Sequence, residues 1–335
     1  MLTLHLGTYE KSGGRGLVPL TIAADGGITC GDPFAGLANA SFGVRRKDIV
    51  YLVDERDEGA ITVLREADEG WERVAGLRTG GSAPCYAALD RDGTRLAVAN
   101  YATGSVALFV LDADGNPHGH PALFQAQGNG PNEERQEGPH AHCVRFSHGN
   151  EAIYLVDLGA DQVLCLKLGR GAVFADALTA WRAPPGTGPR HLLFHPRRTL
   201  ALVLSELAAT VTVLEAGDGK LRPLQSISTQ PADFKGDNLG GHLDLNADGT
   251  RVYASNRGHD SIAVFALEAN RLELIQHVSS GGAHPRHFVL LEDHGLLAVA
   301  HEKDGRVALF EIAANGTLAP KGEGITVQGA CFLLR

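Results

Sequence analysis

The feature that most constrains this chain is an internal repeat. Residues 85–109 (CYAALDRDGTRLAVANYATGSVALF) and 242–265 (HLDLNADGTRVYASNRGHDSIAVF) can be written almost one above the other. Each contains an apolar run, a polar turn, a second apolar run ending in a polar residue, a small turn and a third apolar run. The runs alternate and favour branched side chains, and Asp92-Gly93 and Asp248-Gly249 supply the positive φ that tight hairpins need. The same frame fits residues 42–64, 141–166, 191–214 and 287–310. That makes six copies, whose starts lie roughly 45–55 residues apart.

No stretch carries a helical period, so a helical solenoid is excluded. A repeat of this length in strand-forming sequence predicts blades of four antiparallel strands each. The ends of the chain resemble a seventh copy cut in two. Residues 2–8 and 16–22 read as middle strands without a first strand, and 325–334 as a strand with nothing after it. Pairing them would remove two exposed sheet edges. The expectation is an all-β fold: a seven-bladed β-propeller forming one domain over residues 1–335, its last blade closed by N- and C-terminal strands.

Composition excludes several functions. With 30 basic and 39 acidic residues the net charge is -9, the wrong sign for a general nucleic-acid face. No apolar run approaches the length of a membrane helix, and residues 1–9 do not read as a secretory signal. The five cysteines are odd in number and without CxxC spacing, which suggests free thiols in a reducing cytoplasm. Two Trp and 6% aromatic residues offer little for a protein-binding face. A monomer or weak homodimer is expected.

In a propeller the innermost strand of each blade lines the central channel, so polar residues at its start are the informative ones. Successive copies begin Gly138-Pro139-His140-Ala141-His142, Gly188-Pro189-Arg190-His191, Gly240-Gly241-His242 and His284-Pro285-Arg286-His287. Four blades thus place His or Arg at one repeat position. Period-two alternation puts His140 and His142 on one side of their strand, and Arg190 opposite His191. A second ring, at the ends of the next strands, comprises Glu55, Tyr101, Asp157, Glu206, Arg257 and Glu302. One His at a strand start commonly satisfies nearby backbone groups. Several cationic groups facing one channel call instead for carboxylates or a bound anion. Arginines in neighbouring blades would repel a metal ion, so neither metal nor cofactor is expected. Ser205 and Cys143 are available nucleophiles, but neither lies in a nucleophile elbow. The polar stretch 125–138 (QAQGNGPNEERQEG) is longer than an ordinary connection and runs straight into the most histidine-rich motif, which favours a functional loop.

The runs GNGPNEERQEGPHAH (128–142), GTGPRHLLFHP (186–196), SELAATVTVL (205–214), ADGTRVYASNRGHDSIAVF (247–265) and HPRHFVL (284–290) resemble the propeller-type 6-phosphogluconolactonase family of bacteria. The resemblance covers the chain from about residue 80 onward and, more weakly, the N-terminus through Gly7-Thr8-Tyr9-Glu10. It implies a seven-bladed fold and metal-independent hydrolysis of 6-phosphoglucono-δ-lactone, a small anionic lactone, in the pentose phosphate pathway. A fungal relative, the carboxymuconate lactonizing enzyme, implies catalytic roles for His142, Arg190 and Glu206, with either Arg257 or Arg286 as the later arginine. Arg257 is placed with the catalytic group. His140, His191, His242, Arg286 and His287 are expected to contact substrate. Either His142 or Glu206 could serve as general base. The chain departs from the family pattern in reading Ser205-Glu206-Leu207 and His301-Glu302, and the second of these bears on which lactone fits. Two other functions stay open: a lactonizing lyase or isomerase using the same groups in reverse, and a non-catalytic propeller presenting its face to a protein partner.

Overall fold

Short alternating runs punctuated by Gly, Asp and Asn can satisfy their backbone groups only by pairing sideways. The computed structural model describes residues 1–68 and 70–335. Those residues form seven four-stranded sheets. Sheet one orders Gly43–Arg46, Ile49–Asp54, Ala60–Ala67 and Gly70–Arg78 from one edge to the other. Sheet two orders Pro84–Leu89, Arg95–Asn100, Ser105–Leu111 and Pro117–Gln125. Sheet three holds Ala141–Phe146, Ala152–Asp157, Gln162–Leu168 and Phe174–Arg182, and sheet four Pro189–Phe194, Leu200–Ser205, Thr210–Gly217 and Lys220–Ser228. Sheet five holds Leu239–Leu245, Arg251–Arg257, Ser261–Glu268 and Arg271–Ser279, and sheet six Pro285–Leu291, Leu296–His301, Arg306–Ile312 and Leu318–Thr326. Helical structure among the described residues amounts to two short 3-10 turns, Glu10–Ser12 and Glu292–His294. Among the described residues no helix is long and apolar enough to cross a membrane.

Sheet seven joins the two chain ends in the order Ala330–Leu334, Leu2–Thr8, Leu17–Ile22, Ile28–Cys30. The expected closing strand is therefore present but shorter than its apolar pattern suggested. Ile325 and Thr326 belong to the last strand of sheet six, and a turn at Gly329 separates the two. That glycine has φ 75°, and a Cβ there would lie 2.5 Å from the carbonyl oxygen of Tyr9. One hydrophobic run thus supplies two strands because its glycine must pass tightly beside residue 9.

By contact density the chain divides into two units. Residues Met1–Ala38, Leu193–Ala216 and Arg222–Arg335 form one, and Asn39–Leu192 with Gly217–Leu221 form the other. In the first unit, Leu4, Leu6 and Leu20 of sheet seven pack on Ala298, Ala300 and Leu309 of sheet six. In the second, Tyr51 and Val63 of sheet one pack on Val98 and Phe109 of sheet two. Each fully buried aliphatic side chain of this kind contributes ~1.5–3 kcal/mol. Where a tyrosine enters a core its hydroxyl still finds an acceptor. The Tyr51 hydroxyl donates to the carbonyl of Gly115, and that of Tyr253 to the carbonyl of Gly316 at 2.8 Å.

Candidate active site

The strand starts singled out in the sequence are irregular. In sheet two Pro84 faces Asn100 but Tyr86 faces Ala99, which leaves Cys85 bulged. The same slip isolates His142 in sheet three, Arg286 in sheet six and Cys331 in sheet seven. In sheet five it falls across Gly241 and His242. A bulge adds an unpaired residue and re-aims its side chain. This changes the expected equivalence of the motifs. His142 and Arg286 share the bulged position, and Arg190 matches them in the frame Pro189-Arg190-His191. His191, His242 and His287 fall one place later, and His140 precedes its strand. The four histidine- and arginine-bearing motifs therefore do not place their cations at one repeat position, as the sequence had suggested.

In the unit holding sheets one to three, His142 is the hub. Its Nε2 makes a short contact with Nη1 of Arg190, and both residues are buried. A guanidinium can only donate, so His142 accepts through Nε2 and is a neutral imidazole in this arrangement. Its Nδ1 lies 3.9 Å from Sγ of Cys85. The ring of His191 meets it edge-on at 5.6 Å, and that of Tyr101 at 5.5 Å. Arg190 and His191, expected on opposite sides of their strand, thus both reach His142. His140 and His142 both reach Tyr101: His140 stacks on its ring at 4.5 Å. His140 Nδ1 lies 3.1 Å from the Tyr101 carbonyl, and its Nε2 is 3.2 Å from Glu137.

In the unit holding sheets five to seven, a buried ion pair joins Glu206 to Arg257, Oε2 to Nη2, at 2.9 Å. Arg257 also donates to the Gly240 carbonyl through Nε (3.2 Å) and Nη2 (2.7 Å). The Gly240 amide in turn donates to the Glu206 carbonyl at 2.8 Å. Arginine and carboxylate are therefore fixed by the same backbone segment. Arg286 lies over the ring of Tyr9 at 5.2 Å and 3.3 Å from Glu302, whose Oε2 is equally close to His284 Nδ1. Burial would raise the Glu302 carboxyl, but the hydrogen bond from His284 and the charges of Arg286, His284 and Arg257 outweigh it. The group is held well below the usual carboxylate range. His242 and His287 stack on one another at 4.1 Å, against Phe288 and Phe332 respectively.

Two further expectations change. Asp157 faces Ala141 just as Asn100 faces Pro84 and His301 faces Pro285, so it ends its strand one position before the second ring. Leu158 takes the ring position instead. Asp157 is spent on local structure, accepting from the amides of His140 (2.8 Å) and Ala160 (3.2 Å) and from Gln162 (3.1 Å). Cys143 is fully buried, and burial pushes its thiol up, away from the thiolate a nucleophile needs. Sequence reasoning missed Cys85, Arg135, His284 and Tyr9. Aligning Pro84-Cys85 with Pro189-Arg190 and Pro285-Arg286 would have found the first.

A profile of the family described as "Lactonase, 7-bladed beta-propeller" matches residues 3–334. A 6-phosphogluconolactonase of Bacillus subtilis is 31% identical over 317 residues, covering 92% of this chain and 90% of its own. A crystal structure of a Lactobacillus plantarum protein superposes with a TM-score of 0.91 at 27% identity, covering 99% of this chain and 98% of that one. The structure named periplasmic gluconolactonase, from Pseudomonas aeruginosa, gives 0.90 at 27%, with coverages of 99% and 98%. Seven four-stranded sheets, a terminal sheet built from both chain ends and a match over nearly every residue lead to one conclusion: the chain belongs to the seven-bladed β-propeller lactonase family.

Proposed function

We propose that this lactonase hydrolyses 6-phosphoglucono-δ-lactone to 6-phosphogluconate, as a step of the pentose phosphate pathway in the cytoplasm. The observation that carries the reading is the buried contact between the Arg190 guanidinium and the Nε2 lone pair of His142. It pairs a neutral base with a fixed cation, the two groups that addition of water to a carbonyl requires. Name and identity of the Bacillus subtilis relative support the substrate, and five free cysteines suit a reducing compartment.

In this mechanism the Arg190 guanidinium passes from Nε2 of His142 to the C1 oxygen as substrate binds, and the freed Nε2 takes a proton from water as the water oxygen attacks C1. Arg190 steadies the oxyanion that forms there. The intermediate collapses, the C1–ring-oxygen bond breaks, and the imidazolium returns its proton to the departing C5 oxygen. One water is consumed, and lactone becomes hydroxy acid. Arg257, immobilised by Gly240 and Glu206, is assigned to the carboxylate that appears at C1, and Glu206 holds that arginine in place. His140, His191, His242, Arg286 and His287 are assigned to contact with the rest of the sugar.

The test is hydrolysis of the lactone at mildly acidic pH, where spontaneous opening is slow. Arg190→Ala is expected to lower kcat by about 10²–10³-fold. A variant with wild-type kcat removes Arg190 from the mechanism. A double-mutant cycle between His142→Gln and Glu206→Gln asks whether the two pairs serve one reaction. Strictly additive losses would separate them.

A further inference from the structure

The connection between sheets two and three, residues 126–140, is not slack. Oδ1 of Asn132 accepts from the amides of Glu134 and Arg135, both at 3.1 Å, and its carbonyl accepts from the amide of Gln136 at 2.7 Å. The Gln136 side chain is buried completely. Its Nε2 donates to the Leu158 carbonyl at 2.9 Å, and its Oε1 accepts from the amide of Asn132 at 3.3 Å. Nearer the start of the loop, Gln162 Nε2 donates to the Gln127 carbonyl at 2.9 Å. Arg135 therefore projects from a backbone held on both sides.

Arg135 is half-buried, and its Nη2 donates to the Tyr101 hydroxyl at 3.4 Å. Tyr101 is the ring that stacks on His140 and meets His142 edge-on. Two arginines are thus linked to His142, one directly and one through Tyr101. Arg190 is buried and touches the imidazole, whereas Arg135 stands one aromatic ring away and remains partly in water. The first setting suits charge that develops at a reacting carbonyl. The second suits a permanent anion that keeps part of its hydration, held by a fork of N–H donors with a phenol beside it.

We propose that Arg135 recognises the phosphate monoester of the substrate, with the Tyr101 hydroxyl as a second donor, and so sets the preference for phosphorylated over neutral sugar lactones. This rests on the reading of the substrate given above and adds the residue that selects it.

The experiment compares 6-phosphoglucono-δ-lactone with unphosphorylated glucono-δ-lactone, using wild type, Arg135→Gln and Arg135→Lys, with inorganic phosphate as competitor. Arg135→Gln is expected to raise KM for the phosphorylated lactone by about 10–100-fold with little change in kcat. Its kcat/KM for the neutral lactone should fall at least tenfold less. Inhibition by phosphate should weaken, and Arg135→Lys should restore part of the selectivity. Equal losses on both lactones would make Arg135 a prop for Tyr101 and overturn the assignment, leaving the substrate reading intact. A wild type without preference for the phosphorylated lactone would overturn both, and that outcome is visible before any variant is compared.

Discussion

At the scale of single residues, the chemistry turns on how each arginine is occupied. Arg190 faces a neutral imidazole, Arg257 a carboxylate and a carbonyl, and Arg286 a carboxylate and an aromatic face. Glu302, held by His284 and Arg286, gives this a pH signature. Its carboxyl is lowered from 4.5 in the folded state, so the unfolded chain binds the proton more readily. The stabilisation is therefore complete above the ordinary carboxylate range and is lost as pH falls through it towards the folded value. Urea melts between about pH 7 and pH 3 should show wild type losing more stability on acidification than Glu302→Gln. Parallel curves for the two proteins would mean that the ion pairs do not contribute.

At the scale of elements, the bulge at the strand start is what turns a strand into a site. Sheet five shows why its residue there is glycine and not another cation. A Cβ on Gly241 would lie 2.4 Å from Ser255 Oγ, 2.6 Å from the Pro285 carbonyl oxygen and 3.3 Å from Arg257 Cγ. Ser255 Oγ is already committed, accepting from the His242 amide and donating to Pro285, each at 2.8 Å. Gly241→Ala must break that bridge or push Arg257, and overpacking of this kind costs about 1–3 kcal/mol. We expect a lower melting temperature together with a lower kcat. Unchanged thermal unfolding would show that the segment has slack the structure does not suggest.

At the scale of the molecule, the ends of the chain are interdependent. Ala330–Leu334 pairs with Leu2–Thr8, and Cys331 Sγ approaches the Gly7 carbonyl at 3.2 Å across 324 positions of sequence. Removing residues 330–335 would strip the partner from a strand carrying the fully buried Leu4 and Leu6 and would leave an unpaired edge. The truncated chain should aggregate or melt without a cooperative transition, as followed by size-exclusion chromatography and circular dichroism. A monomer melting like wild type would show that sheet seven contributes little to the whole.

Much of this was legible beforehand. Alternation, Asp-Gly turns and a recurring order of runs and turns are short-range signals, and strand pairing within each blade follows from them almost locally. His142 and Arg190 could be singled out at the start of a first strand, and Glu206 and Arg257 at the end of the strand that follows. Which of them share a position could not. A bulged residue looks like any other in a two-residue period, so the frame that sets His142 beside Cys85 and Arg286 emerged from the register of the neighbouring strands. The same holds for Gly329, which divides one apolar run into two strands because Tyr9, remote in sequence, passes beside it. Sequence by itself determined the blade and the kinds of group at its inner end. Tertiary structure decided which groups touch, because contact depends on one-residue shifts in register that local pattern does not encode.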